Sequence, residues 1–180
     1  MRKAMLLGAL MTLALCLASG VAWAATINGT NGANFLVGTR QADTIKGFGG
    51  DDIIGGKDGA DTLRGYEGND IIIGGDDNDS MFGGLGQDEM RGGPGDDKMY
   101  GGPGRDTLYG GEGNDIVDGQ AQSDTLNGGP GRDNLITGPG SEDAVFAEDG
   151  QQDLICIDPR SGATIESDDP EDEVIVSGSC

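Results

Sequence analysis

The chain has 180 residues, of which 36 are glycine, and its 32 acidic residues outnumber its 11 basic ones. This length fits one domain, but with only 4% aromatic residues the chain cannot build a thick globular core. The formal charge of −21 favours cations as partners and argues against nucleic acid and membrane insertion. The sequence contains no histidine, which excludes His-based catalytic triads and the common His-containing zinc sites.

The first 24 residues have the pattern of a signal peptide. A positive start with Arg2 and Lys3 precedes an apolar run over residues 4–18, and Ala22-Trp23-Ala24 fits the small-x-small rule for cleavage. The apolar run is short for a membrane anchor, which needs about 20 residues. We therefore expect cleavage after Ala24 and a secreted, extracellular protein, with the periplasm or the cell surface as alternative final compartments.

Cleavage would leave a more acidic chain with two cysteines. Loss of Arg2 and Lys3 leaves 9 basic residues against 32 acidic ones, a formal charge of −23. The remaining cysteines, Cys156 and Cys180, are expected to form one disulfide, because an exported protein meets an oxidising environment.

A nine-residue repeat fills most of the remaining sequence. Gly83-Gly84-Leu85-Gly86-Gln87-Asp88-Glu89-Met90-Arg91 is a typical unit. Position one is always Gly, position six is Asp in eleven units with Asn34 as the exception, and position eight is always aliphatic. A disordered Gly/Asp-rich linker would share the composition but not this register. Twelve units follow one another without insertion or deletion, beginning at residues 29, 38, 47, 56, 65, 74, 83, 92, 101, 110, 119 and 128.

Each recurring position has a physical reason. Glycine permits the positive φ angles of a tight turn whose carbonyl groups converge. Aspartate supplies the hard anionic oxygen that calcium prefers. The x-aliphatic-x tail has a period of two, so a very short strand points one apolar side chain inward. Nine residues are too few for a helix and its connections, so each unit is predicted to form half a coil.

The pattern resembles the repeats-in-toxin (RTX, hemolysin-type) nonapeptide, Gly-Gly-x-Gly-x-Asp-x-aliphatic-x, over residues 29–136. The resemblance implies an all-β fold, a right-handed parallel β-roll (β-helix) in which two units form one turn. It also implies calcium ions between the loops of successive turns of a calcium-binding protein. We expect this protein to be exported and not to be an enzyme. RTX proteins usually leave the cell without a cleaved N-terminal peptide, so the signal sequence departs from the family's pattern.

Carried over to this sequence, the resemblance implies metal-ligating aspartates in two rows. Six loops on each side leave five gaps, so the regular repeats hold at most about ten Ca²⁺ ions. The loops that begin at Gly29, Gly38 and Gly119 depart most from the pattern and are expected to be the weakest. The Asp52 row contains Asn34, Asp52, Asp70, Asp88, Asp106 and Asp124, and the Asp43 row contains Asp43, Asp61, Asp79, Asp97, Asp115 and Asp133.

The regular register is lost after Ile136. Residues 137–146 and 147–156 resemble ten-residue relatives of the repeat, with Val145 and Ile155 as inward positions. The remainder predicts a small strand-rich cap, because the last turn of a stacked fold would otherwise expose its core and strand edges. The predicted organisation is a signal peptide over 1–24, a β-roll over 25–136, and irregular repeats with a C-terminal cap over 137–180.

Other functions are compatible with export. An adhesion or matrix protein could use the calcium-rigidified roll as a spacer, with an unknown partner at the cell surface or in the matrix. A glycoside hydrolase needs two carboxylates in a cleft, and no pattern in the sequence places a pair there. A protease or lipase carrying such repeats would need a separate catalytic domain, for which these residues leave no room. Position three lacks the row of threonines expected of an ice-binding face.

Overall fold

The computed structural model describes residues 23–140, 142–147, 149–167 and 169–176. Most of the predicted signal peptide lies outside the described residues. No helix in the described part of the chain is long and apolar enough to cross a membrane. The described residues contain seventeen strands: β1 (Thr26–Asn28), β2 (Phe35–Val37), β3 (Thr44–Gly49), β4 (Ile53–Asp58), β5 (Thr62–Glu67), β6 (Ile71–Asp76), β7 (Ser80–Leu85), β8 (Glu89–Pro94), β9 (Lys98–Pro103), β10 (Thr107–Glu112), β11 (Ile116–Ala121), β12 (Thr125–Asn127), β13 (Asn134–Ile136), β14 (Ala144–Ala147), β15 (Leu154–Ile157), β16 (Thr164–Ser167) and β17 (Glu173–Val176).

The strands form two parallel sheets that face each other. The odd-numbered strands make a nine-stranded sheet in the order β1 to β17, and the even-numbered strands make an eight-stranded sheet in the order β2 to β16. Each strand pairs with the strand that lies two nonapeptides further along the chain, so that Ile45 lies opposite Leu63 and Leu108 lies opposite Leu126. Two nonapeptides therefore make one turn, and the predicted all-β parallel roll is confirmed.

The core is a single column of apolar side chains between the two sheets. The position-eight residues from Ile45 to Leu135 are all 0% exposed. Ile27 and Leu36, in the first two strands, pack against this column but stay partly exposed, because among the described residues each has a neighbouring strand on one side only. Full burial of each such side chain contributes about 1.5 to 3 kcal/mol, so the column is the main apolar source of stability.

The irregular C-terminal segment continues the same two sheets. Val145 lies opposite Leu126 and Ile155 lies opposite Leu135, and both are fully buried, so their predicted inward orientation is confirmed. Strands β16 and β17 pair with β14 and β15 and end the two sheets. Cys156 is disulfide-bonded. Its predicted partner, Cys180, lies outside the described residues, and the pairing stays a prediction.

Candidate metal centre

The fold places the position-six aspartates in two rows along the two sides of the roll. Each aspartate ends a turn and comes two residues before a buried aliphatic side chain, as Asp88 does before Met90. The 18-residue register of the sheets therefore stacks Asp70, Asp88 and Asp106 directly above one another. All eleven predicted aspartates are buried, with exposures of 1% to 3%.

One carboxylate oxygen of each aspartate has a structural partner. The Asp70 N–H donates to Asp88 Oδ1 at 2.8 Å, and the Asp88 N–H donates to Asp106 Oδ1 at 2.9 Å. The Asp79 N–H donates to Asp97 Oδ1 in the same way at 2.7 Å in the other row. Each bond joins residues 18 apart, so the rows tie every turn to the next. Hydrogen bonds to a charged acceptor are the stronger kind, each worth about 1.5 to 3 kcal/mol.

The second carboxylate oxygen of most aspartates is buried without a hydrogen-bond donor. A buried carboxylate oxygen without a partner is strongly destabilising unless a cation lies beside it. The three ion pairs in the described part of the chain use other acids, namely Asp58, Glu89 and Asp158. The buried Oδ2 atoms without a donor belong to Asp52, Asp61, Asp70, Asp79, Asp88, Asp97, Asp106, Asp115, Asp124, Asp133, Asp143 and Asp153.

Burial also changes the acidity of these carboxyls. The pKa of Asp88 is raised to about 7, chiefly by loss of solvation; repulsion from Asp106 and Asp70 acts in the same direction, and the hydrogen bond from the Asp70 N–H acts in the opposite one. The same causes raise the pKa of Asp97 to about 7, and burial raises that of Asp124 to about 8. A bound cation stabilises a charged carboxylate most where burial and repulsion disfavour that charge most, as they do here.

Glycine makes room for the carboxylates and brings the loops together. A Cβ atom on Gly83 would lie 2.3 Å from Asp88 Oδ2, so position one must lack a side chain. Gly86 has a φ of +137°, and a Cβ there would lie 1.8 Å from the Gly68 carbonyl oxygen. The loops of successive turns therefore stack backbone against backbone, with carbonyl oxygens close to the carboxylate rows.

This donor set suits a hard divalent cation. Calcium takes six to eight oxygen ligands from carboxylates and backbone carbonyls in a flexible geometry. No group of three acidic or cysteine side chains converges in the described part of the chain, because the carboxylates are spread along rows. An ion in a row would therefore combine a few carboxylates with loop carbonyls. The residues present fit calcium.

Comparison with known protein families agrees with this geometry. The model of the RTX calcium-binding nonapeptide repeat matches four times, over residues 28–63, 55–90, 91–126 and 109–142, which together exceed half of the chain. This chain belongs to the RTX calcium-binding repeat family. The suspected resemblance is confirmed, and the chain is a calcium-binding β-roll protein. No curated protein matches it.

The RTX carboxylate rows extend beyond the predicted residues. The Asp124 N–H donates to Asp143 Oδ1, and the Asp133 N–H donates to Asp153 Oδ1, both at 2.8 Å. Asp153 in turn donates its N–H to Asp172 Oδ1 at 2.8 Å. These partners are 19 or 20 residues apart, so a strict nine-residue count misses them. The signal that finds them is the Asp-x-aliphatic triplet, present in Asp143-Ala144-Val145 and Asp153-Leu154-Ile155.

Two of the three RTX loops that are expected to bind calcium weakly differ from the regular loops in their hydrogen bonds. The Thr39 N–H donates to Asp43 Oδ2 at 2.5 Å, so this oxygen already has a partner. Asn34 carries no charge and stays partly exposed, and it accepts the Thr30 N–H at 2.7 Å. In the third loop Asp124 Oδ2 is buried without a donor, as in the regular units. The order of calcium affinities along the rows stays a prediction.

Proposed function

We propose that this protein is exported and that its β-roll folds as calcium binds between the stacked loops. The position-six aspartates are the ligands, with Asp143 and Asp153 added to the eleven predicted from the sequence. The observation that supports this is the set of buried Oδ2 atoms without a hydrogen-bond donor, one on each turn of either row after the first turn. Each Ca²⁺ would neutralise two negative charges and join two neighbouring loops.

Charge and burial together make the coupling of folding and binding strong. The exported chain carries a net −23, and folding forces buried carboxylates of neighbouring turns into vertical rows. Repulsion within such rows opposes folding unless cations are present. Ions that bind the folded chain and not the unfolded chain supply their binding free energy to folding.

A binding function fits the buried position of the carboxylates better than catalysis does. General acids, bases and nucleophiles must contact the substrate. Asp79, Asp97 and Asp115 are each 1% exposed, so a substrate cannot reach them. We therefore propose a non-catalytic protein.

The second candidate function is an extracellular adhesion module or matrix spacer. It is favoured because the nine strands of one sheet and the eight strands of the other each pair without interruption along the roll. With strands about 4.8 Å apart, such a stack is a rod roughly 40 Å long. A rod that becomes rigid only in calcium would present a surface outside the cell, where calcium is abundant, and not inside it.

Calcium stoichiometry and circular dichroism test the main proposal. Equilibrium dialysis of the exported chain should find roughly five to ten Ca²⁺ per chain with little competition from Mg²⁺, which demands octahedral geometry and loses water reluctantly. In chelator the spectrum should be coil-like, and millimolar calcium should convert it to strand with a steep midpoint. A stoichiometry of zero or one ion, or an intact strand spectrum in chelator, would contradict the proposal.

A further inference from the structure

The outer surface of the nine-stranded sheet carries an unusual cluster over β3, β5, β7 and β9. On these strands every second residue is buried and the alternate residues face outward, as the pattern of Thr44, Lys46 and Phe48 shows. We name the cluster the aromatic-cationic face, and it consists of Lys46, Phe48, Arg64, Tyr66, Phe82 and Tyr100. A chain with 4% aromatic residues places four of its rings here.

The rings are ordered by contacts with each other and with arginine. Phe48 stacks on Tyr66 with centroids 5.5 Å apart, and Phe82 stacks on Tyr100 with centroids 5.2 Å apart. The Arg64 guanidinium lies 4.5 Å from the centre of the Phe82 ring, which holds the charge over the sheet. Tyr66 lies opposite Gly84, so no side chain covers the surface beside it on β7. These contacts order the rings and Arg64 in the absence of a ligand.

Two of these rings lie at backbone positions that favour glycine. Phe48 and Tyr66 both have a φ of +80°, a conformation that bulky residues rarely adopt. The equivalent position in six other repeats is a glycine with positive φ: Gly75, Gly84, Gly93, Gly102, Gly111 and Gly129. Glycine would therefore suit the fold at positions 48 and 66. Lys57 and Gln120 also have a positive φ at this position, so the strain belongs to the position, and the exposure of the Phe48 and Tyr66 rings is what favours a binding role.

The charge of the face is opposite to that of the molecule. The outward positions of β3, β5, β7 and β9 that carry the rings and cations contain no carboxylate, although the whole chain has a net charge of −21. Two carboxylates border the face: Glu67 follows Tyr66 on β5, and Asp118 lies opposite Tyr100 on β11. Lys46 and Arg64 lie directly opposite each other on neighbouring strands, an arrangement of like charges that is destabilising on its own. Neither forms an ion pair within the residues that the structure describes. An anionic ligand would relieve this repulsion.

We propose that the aromatic-cationic face binds an acidic polysaccharide, a linear chain of β-linked uronic acids. Its carboxylates would pair with Lys46 and Arg64, and the apolar C–H surfaces of its sugar rings would lie against Tyr66 and Tyr100. Neighbouring strands are about 4.8 Å apart, close to the length of one sugar in an extended β-linked chain, so consecutive sugars can meet consecutive strands. The proposal rests on the proposed calcium-dependent folding in one respect, because the face exists only in the folded roll.

Two other anionic partners fit the observations less well. Insertion into a membrane requires protruding apolar side chains, whereas the four rings stack in pairs. Phe48 and Tyr66 are 40% and 39% exposed, and Phe82 and Tyr100 are only partly exposed. A simple acidic peptide would use the two cations but would give no role to strained aromatic rings. Both partners are outcomes of the test: a glutamate hexamer represents the acidic peptide and vesicles of anionic phospholipid represent the membrane, and binding to either as tight as to the uronate would overturn the proposal.

Calorimetry on the calcium-folded protein tests the charge requirement. The probe is a hexamer of β-linked glucuronate, too short to gel with calcium, and a neutral β-linked glucose hexamer and a glutamate hexamer serve as comparisons. Lys46→Gln with Arg64→Gln should weaken binding of the uronate on the order of tenfold. The matched control, Arg40→Gln with Arg91→Gln, removes the same charge elsewhere and should stay within about twofold of the native affinity. Equal losses in both double variants, or equal binding of the glutamate hexamer, would overturn the proposal.

A second double variant separates binding from folding. Phe48→Gly with Tyr66→Gly installs the residue that other repeats have at these positions, so the strand spectrum and the calcium midpoint should be preserved. Affinity for the uronate hexamer should nevertheless fall on the order of tenfold. Native affinity in this folded variant would overturn the role of the rings, and absence of uronate binding by the folded native protein would overturn the proposal as a whole. Circular dichroism is recorded first, so a failure of calcium-dependent folding is seen separately.

Discussion

The two oxygens of each position-six aspartate have different tasks. Oδ1 accepts a backbone N–H from the preceding turn, as Asp106 Oδ1 does from Asp88, and this bond needs only an acceptor. Oδ2 of the same residue is buried without a donor and needs a cation. Asparagine retains the first task and loses the charge required for the second, so it is the most informative substitution at this position.

At the scale of one residue, Asp88→Asn should weaken calcium binding without breaking the roll. We expect the amide oxygen to keep accepting the Asp70 N–H and the neighbouring ions to bind about tenfold more weakly, because one charged ligand is lost. The calcium midpoint measured by circular dichroism should therefore rise. Asp58→Asn is the control, since Asp58 is an exposed partner of Arg40 and such pairs are worth little. The same midpoint in both variants would contradict the assignment.

At the scale of the elements, the nonapeptide register was sufficient to predict the regular turns. Every unit has an aliphatic residue at position eight and a glycine at position one. Only one strand pairing buries all of these aliphatic side chains, and β3 to β13 follow it. The turns that lead to Asp143 and Asp153 break this count, because these aspartates lie 19 and 20 residues after Asp124 and Asp133. Which residue of a longer loop stacks on Asp124 or Asp133 is decided by strand pairing in three dimensions, and a fixed spacing does not contain that information.

The outer face of the sheet could not be predicted from the repeat for a different reason. Positions two, seven and nine point away from the core, so folding constrains them weakly and their residues vary from unit to unit. Phe48 and Tyr66 belong to position two, whereas Phe82 and Tyr100 belong to position nine. Only the folded sheet brings these two positions onto one face.

A prediction at the scale of the elements concerns the carboxylate rows beyond Asp133. Asp153 is 2% exposed, its Oδ2 is buried without a donor, and burial raises its pKa to about 6. Asp153→Asn should therefore raise the calcium midpoint by a factor similar to Asp88→Asn, about tenfold at the affected site. Glu166→Gln, an exposed change in the same part of the chain, should leave the midpoint unchanged. If Asp153→Asn behaves like Glu166→Gln, the row ends at Asp133.

At the scale of the whole molecule, a covalent link could hold the end of the stack. Cys156 lies on β15 and is disulfide-bonded, and Cys180 is its predicted partner. Closure of the 25-residue segment from Cys156 to Cys180 would stabilise the fold by on the order of 3 kcal/mol in the chain-entropy model. Titration of the denatured, unreduced, exported protein should find no free thiol. Two reactive thiols per chain would refute the bridge.

The buried rows also predict how the whole roll responds to pH when calcium is removed. Burial raises the pKa of Asp79, Asp88 and Asp97 to about 7 and that of Asp124 to about 8, whereas an aspartate in the unfolded chain has a pKa of about 3.9. The folded chain therefore binds more protons than the unfolded chain between about pH 4 and pH 8, and its stability falls as the pH rises through this window. This is the reverse of ordinary acid denaturation, in which carboxylates with lowered pKa values lose stabilising interactions on protonation.

Acidification should consequently replace part of the effect of calcium. In chelator, lowering the pH from 8 to 5 should increase the strand signal in circular dichroism, because protonated carboxyls no longer repel one another within a row. In the presence of calcium the same change should raise the calcium midpoint, because protons and ions compete for the same oxygens. Sedimentation at each pH is the control against aggregation near the isoelectric point of about 4.1. A monomeric, chelated protein that is equally coil-like at pH 5 and pH 8 would show that repulsion within the rows does not govern folding.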